Sequence, residues 1–277
     1  MEPILHPSTR AKTDTLIAKP PHGILITGFY GPNTLAKYIA RKILNNEDIE
    51  SHPYCLIIKP KDNKAISIEE IRSIERFLSL KVLSKDKYNR VVIIEDAQNL
   101  SLSAQNALLK TIEEPPIGTI MILSANSALN ILPTVRSRLQ LIVASQPPID
   151  LIRSNYMDID EAEFNRAYSL SAGNPEVLDE IINNNDHKLI EATKIARDII
   201  SKNIFERLLM VNDLSKDTSQ VKDILFIMQQ MAEVSLKTTN KNSKQWQKIL
   251  TASFNAQDQI NKNAQIKLVL ENFFLEI

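Results

Sequence analysis

The chain has 277 residues, 43% hydrophobic and 24% charged, which is enough for two or three domains with separate cores and ordinary for a globular protein in water. Lys plus Arg and Asp plus Glu both number 33, so the formal net charge is zero and no long-range pull toward nucleic acid follows. The single cysteine, Cys55, excludes a disulfide framework and a cysteine-rich zinc site, and no apolar stretch has the length of a signal peptide or a membrane span, so a cytoplasmic protein without a metal centre is expected.

Five short apolar runs read as buried strands: 23–27, 54–59, 90–95, 119–124 and 140–143. Helical patterns separate them, which implies a parallel sheet covered on both faces. Ser67-Ile68-Glu69-Glu70 opens one helix with a capping-box pattern, and Ile71, Ile74 and Leu78 follow at helical spacing. A helix over about 103–113 places Ala104, Leu108 and Ile112 on one face, and it should stop at Glu114 because Pro115 follows. Residues 144–148, with two adjacent prolines, read as a linker. Beyond them only helices are expected, at about 160–172, 175–183, 187–202, 205–213, 221–237, 243–255 and 264–275, with Ile266, Leu270 and Phe274 on the last. Gly173-Asn174-Pro175 marks one break, and 183–186 a second boundary. Cys55, inside YCLII, reads as a small buried hydrophobe, and His52 as a loop or core histidine.

The turn after the first strand, Gly28-Phe29-Tyr30-Gly31-Pro32-Asn33-Thr34-Leu35, lies where a phosphate-binding loop GxxxxGK[ST] belongs. Such a loop cradles phosphate with backbone N–H groups, neutralises it with Lys and holds magnesium with Ser or Thr. Here Gly28 and Gly31 are present, but Asn33 stands at the second motif glycine, Thr34 at the lysine and Leu35 at the magnesium ligand. Pro32 removes one more N–H. The reading is a relic loop kept for shape, with no cofactor expected on this chain.

The order of Val91-Val92-Ile93-Ile94-Glu95-Asp96, the helix AQNALLKTIEEPP, the run Ile120–Leu123 and Ser137-Arg138-Leu139 closely resembles the clamp-loader branch of the AAA+ ATPases, which includes the gamma/tau and delta-prime subunits of bacterial DNA polymerase III. The resemblance extends to Leu5-His6-Pro7-Ser8-Thr9, His22-Gly23, Ser51-His52-Pro53-Tyr54, residues 66–72 and 261–275. It implies a RecA-like α/β domain at 1–144, a small helical lid at 145–186 and an all-α collar domain at 187–277. The zinc-binding cysteine cluster that many bacterial members insert is missing.

Active members end the third strand in Asp-Glu, to hold magnesium and orient water. Here the order is Glu95-Asp96, which displaces each carboxylate by roughly 1 Å, enough to cost on the order of a hundredfold in rate. Beside a broken loop the pair is expected simply to face solvent. Ala125, next to Asn126, stands about where the family carries a polar sensor, and Glu176 about where it carries a nucleotide-touching arginine. What is retained is Ser137-Arg138-Leu139, similar to the family's SRC motif, whose arginine reaches across a subunit interface to the γ-phosphate of the neighbour's ATP. A guanidinium suits that role because it stays charged and donates a forked pair of hydrogen bonds. Arg136 is the nearby competitor.

The resemblance thus implies a non-hydrolysing, delta-prime-like subunit that supplies Arg138, supported by Ser137, to a neighbouring ATPase while a sliding clamp is loaded on primed DNA. Its partners would be gamma/tau-like and delta-like subunits, with ATP bound by those neighbours and no membrane involved. The alternative is an active AAA+ NTPase with an atypical loop. A free-standing nucleic-acid-binding protein is disfavoured by zero net charge and the lack of a basic stripe; the run Lys81, Lys85, Lys87, Arg90 reads as solvated surface. Trp246 and Phe273-Phe274 read as helix packing.

Overall fold

A computed structural model describes residues 2–28, 30–60, 65–79, 90–128, 131–171, 173–183, 188–238, 243–262 and 264–277. The chain forms two compact units, Met1–Met157 with Asn174–Glu176, and Asp158–Gly173 with Val177–Ile277.

The first unit runs α1 (Pro7–Ala18), β1 (Gly23–Thr27), α2 (Pro32–Leu44), β2 (Cys55–Ile58), α3 (Ile68–Ser79), β3 (Arg90–Ile94), α4 (Leu102–Glu113), β4 (Thr119–Ala125), α5 (Pro133–Arg136), β5 (Gln140–Val143) and α6 (Ile149–Arg153). The strands lie in the order β2-β3-β4-β1-β5 and every neighbouring pair is parallel. Parallel pairing needs a crossover between strands, and α2, α3, α4 and α5 supply those crossovers. Alternation along each strand feeds two cores. Ile24, Ile26, Ile93 and Ile122 pack with Leu35 and Ile39 of α2 and Leu16 of α1. Leu25, Val92, Ile94 and Leu123 pack on the other face with Ile71 and Ile74 of α3 and Leu108 and Ile112 of α4.

The Ser67–Glu70 box and the stop before Pro115 act where they were read, and the structure adds a cap at Ser101. Ser67 N–H donates to Glu70 Oε2 at 2.8 Å and Glu70 N–H donates back to Ser67 Oγ at 3.3 Å. The Ser101 hydroxyl caps α4 by accepting from Ala104 N–H at 3.2 Å, and the helix stops at Glu113, two residues before Pro115.

Three features depart from the sequence reading. The sheet is not covered on both faces throughout: β2 is mostly half-buried, and β5 exposes Gln140, Leu141 and Val143. Both are edge strands, with a neighbour on one side only. Helix α1 has no apolar stripe because its buried face is Thr9, Thr13 and Leu16. Thr9 Oγ1 donates to Val143 O at 3.1 Å and accepts from Ser145 N–H at 3.3 Å, so the hydroxyl joins α1 to the edge of the sheet. The start of the expected linker is likewise tied down, since Ala144 N–H donates to Thr27 O at 2.6 Å, and α6 follows it directly.

The second unit is helical: α7 (Glu161–Leu170), most of α8 (Pro175–Asn183), α9 (Lys188–Ser201), α10 (Ile204–Leu214), α11 (Thr218–Thr238), α12 (Ser243–Asn261) and α13 (Ile266–Glu276). Asn203 and Glu206 close a capping box at the start of α10. Helix α11 packs against α9 and α12, and α13 against α10 and α12. Ile199, Leu214, Leu225, Leu270, Phe273 and Phe274 close on one another at the centre. Gln229 Nε2 donates to Gln257 Oε1 at 2.7 Å, joining α11 to α12. Ile266 is half-buried and Val269 takes the buried place beside Leu270, while Trp246 is half-buried. Lys81, Lys85 and Lys87, the 184–186 part of the second boundary and Ala172 lie outside the described residues, whereas Arg90, read with those lysines as solvated surface, is buried and donates to Leu78 O.

Candidate functional site

The turn from β1 into α2 is shaped by two glycines. Gly28 has φ 129°, and a Cβ there would lie 2.5 Å from the carbonyl oxygen of Ala144. Gly31, φ 72°, is the N-cap of α2, and Pro32 follows as a first-turn residue with no N–H to offer. Two of the side chains that replace the phosphate-binding set, Asn33 and Leu35, are engaged within the fold. Asn33 Oδ1 accepts from Ser124 Oγ of β4 at 2.6 Å. Leu35 is wholly buried in the core between α2 and the sheet. A leucine in that position offers no oxygen to a metal ion.

The acidic pair corrects the expectation that both carboxylates face solvent. Glu95 is 6% exposed. Its Oε1 lies 3.2 Å from Lys37 Nζ, which also donates to Glu50 Oε1 at 3.1 Å. Burial alone would lower the pKa of Lys37, but the hydrogen bond to Glu50 and the charge and hydrogen bond of Glu95 outweigh it, so the ammonium is held above its usual range. The bond from Lys37 holds Glu50 below the usual carboxylate range. Asp96 is half-buried in a left-handed turn, φ 51°, and accepts from Gln98 Nε2 at 3.3 Å. Lys37 lies three residues beyond Thr34, one turn inside α2, and its ammonium is engaged by Glu95 and Glu50. Sequence reasoning missed it. The signal was available: a strand ending in Glu95 beside a helix demands a neutralising partner if the carboxylate is buried.

Ala125 is fully buried, and its carbonyl accepts from Gly28 N–H at 3.1 Å. The polar group at this strand end is Ser124, one residue earlier, also missed. Asn126 is exposed, with its N–H donating to Gln98 Oε1 at 3.2 Å. The side chain of Glu176 is outside what the structure describes.

Arg138 sits at the other end of the sheet. Leu139 is buried in the α3–α4 core, and its Cδ2 fills the place a side chain on Gly23 would take, 2.5 Å from an added Cβ. Arg138 therefore lies beside the first residue of β1, whereas Gly28 follows its last. Five residues of strand separate them, roughly 16 Å. The guanidinium Nη2 pairs with Glu113 Oε1 at 2.5 Å, and Nη1 donates to Thr134 O at 2.7 Å and approaches Ser137 Oγ at 3.4 Å. Its side chain remains 38% exposed. Arg136 is half-buried and forms no ion pair among the described residues.

Other candidates are structural. His52 Nδ1 accepts from Tyr54 N–H at 3.2 Å and closes a turn. Cys55 is half-buried, and burial pushes its thiol up to about 12, far from a reactive thiolate. Among the described residues no three His, Cys, Asp or Glu side chains converge on a metal position, and no helix is long and apolar enough to cross a membrane.

Residues 11–147 match the family described as "DNA polymerase III, delta subunit". A DNA polymerase III subunit delta' from Haemophilus influenzae is 35% identical over 97 residues, covering 35% of this chain and 29% of that one. A DNA polymerase III subunit gamma/tau from Mycoplasma genitalium is 28% identical over 213 residues, covering 67% of this chain and 36% of that one. Against the curated delta' relatives the chain spans 26–38% of their length. Among solved structures, a DNA polymerase III gamma subunit-related protein of Thermotoga maritima is similar in fold, with a TM-score of 0.57 over 96% of this chain and 97% of that one at 18% identity. The family match covers just under half of the chain, and the relatives named DNA polymerase III subunit delta', 30–35% identical over 32–45% of it, support a delta-prime assignment for that part.

Proposed function

We infer that this chain works as a non-hydrolysing, delta-prime-like subunit of a DNA polymerase III clamp loader. It holds its place through a lid at 145–186 and a collar at 187–277, and supplies Arg138 to an ATP site on a neighbouring gamma/tau-like subunit. The neighbours bind and hydrolyse ATP, and the complex, with a delta-like subunit, places a sliding clamp on primed DNA in the cytoplasm. The observation that carries this reading is the division between the two ends of the sheet. At the carboxyl end, Lys37 neutralises Glu95, and Leu35 fills the metal ligand's position. At the amino end, Arg138 is half-exposed and roughly 16 Å from its own loop. That distance exceeds what one side chain spans, so the γ-phosphate it serves belongs to another subunit.

The test has two parts. The isolated chain should release no phosphate from ATP; steady release abolished by Glu95→Ala would overturn the non-hydrolysing role. In a reconstituted complex, Arg138→Ala should leave assembly intact and depress DNA-stimulated ATP hydrolysis and clamp loading, with Arg136→Ala close to wild type. Wild-type behaviour of Arg138→Ala beside a defective Arg136→Ala would move the role to Arg136. Wild-type behaviour of both would remove the trans-acting role altogether.

A further inference from the structure

Helix α4 holds the turn that carries Arg138 at two points. Near its start, buried Gln105 accepts from Leu132 N–H at 2.7 Å through Oε1, fixing the residue that caps α5. At its end, Glu113 Oε1 meets Arg138 Nη2 at 2.5 Å. These two positions lie eight residues apart, about 12 Å along the helix axis. The short helix between Leu132 and Arg138 is thus gripped at both ends by one rigid element. The local carbonyl of Thr134 takes Nη1, which also approaches Ser137 Oγ, so both terminal nitrogens have partners, while the side chain as a whole stays 38% exposed.

We propose that Glu113 is a positioning residue: it orients the exposed Arg138 guanidinium so that N–H groups not used by Glu113 and Thr134 face the phosphate of the adjoining subunit. A free arginine side chain samples many rotamers, and each must be given up when it meets a phosphate. Contacts from Glu113 and Thr134 remove that freedom beforehand, which is how preorganisation acts on a transition state. A carboxylate on one edge of the planar fork does not occupy the other edge, so the pair need not break when phosphate binds. Glu113 touches no nucleotide in this scheme and acts only through Arg138, and the inference rests on the trans-acting reading of Arg138.

The experiment uses the reconstituted complex with primed DNA and clamp, measuring kcat and KM for ATP. Glu113→Ala should lower kcat about tenfold with KM unchanged, the signature of an interaction realised only in the transition state. Glu113→Gln, which keeps size and an acceptor oxygen but not the charge, should fall between the two. Glu113→Asp should recover part of the loss. The Glu113→Ala, Arg138→Ala double variant should be no slower than Arg138→Ala alone. If Arg138→Ala is defective while Glu113→Ala turns over at the wild-type rate or faster, the positioning role is overturned and the arginine's own role stands. Losses that multiply in the double variant overturn it also, because Glu113 would then act through something else. If Arg138→Ala itself is wild type, the trans-acting reading fails first and this inference fails with it.

Discussion

Lys37 Nζ lies 3.2 Å from Glu95 Oε1, and helix α2 carries it there one turn beyond the place where a phosphate-binding loop would put its lysine. The ammonium and the buried carboxylate face each other as an ion pair. Glu50 completes the arrangement from the other side of Lys37. A carboxylate as buried as Glu95 would otherwise be costly to keep charged.

Removing the cation should therefore expose that cost. Lys37→Met is expected to lower the unfolding free energy by about 3 kcal/mol, the scale for stripping one partner from a buried ion pair. Adding Glu95→Gln to the same chain should recover much of the loss, because no uncompensated charge remains. Urea denaturation of the two variants beside wild type measures both effects. Equal stability of Lys37→Met and wild type would mean the pair contributes nothing.

The same pair predicts an alkaline limit. The folded pKa of Lys37 is raised above its ordinary 10.5, despite burial acting to lower it, by its bonds to Glu50 and Glu95. A group whose folded pKa is raised stabilises fully below the unfolded value and loses that contribution as pH climbs through the folded one. The stability gap between wild type and Lys37→Met should be full near neutral pH and shrink once pH passes 10.5. A gap that stays constant across that range would contradict the assignment.

Restoring the motif should not restore the activity. In the triple variant Asn33→Gly, Thr34→Lys, Leu35→Ser, a hydroxyl replaces a fully buried side chain, and losing a buried leucine costs about 2–5 kcal/mol. The bond from Ser124 to Asn33 goes with it. Glu95 stays paired with Lys37 even when a lysine is restored to the loop. The expected outcome is a less stable chain with no ATP hydrolysis, read by thermal unfolding and phosphate release; brisk hydrolysis would show that three substitutions were all the site lacked.

Deleting α13 tests the helical unit. Truncation after Asn261 removes Val269, Leu270, Phe273 and Phe274, each 1–3% exposed. Burying a side chain of this kind contributes roughly 1.5–3 kcal/mol, so α10 loses its main neighbour and α12 keeps only its packing on α11. The truncated chain should lose helical circular dichroism and co-elute poorly with clamp-loader partners. Unchanged co-elution would argue that assembly does not run through this unit.

Much of the first unit was legible because its central strands are uniform. Val91–Ile94 and Ile120–Leu123 are aliphatic without interruption, and such runs between helices leave few arrangements other than a covered parallel sheet. Helix α1 was not legible, because a helix that buries Thr9 and Thr13 through hydroxyl bonds carries no apolar period to detect. At the site, the losses at Asn33, Thr34 and Leu35 could be read one residue at a time against a known chemistry. The burial of Glu95 could not, because it depends on Lys37, a residue 58 positions away by number and adjacent only after the sheet forms. Glu113 was in view as part of the EEPP helix end, yet its pairing with Arg138 is tertiary and left no periodic trace.

The packing of Leu139 against Gly23 limits how Arg138 can move. Leu139 fills the space left by the missing side chain of Gly23, so the backbone beneath Arg138 packs against the start of a strand that is paired on both sides. No hinge lies between the arginine and the sheet. Whatever it touches must come to it, within the sweep of one side chain. On the trans-acting reading, the backbone distance is set by the approaching surface, while the side chain's own orientation is set by Glu113 and Thr134.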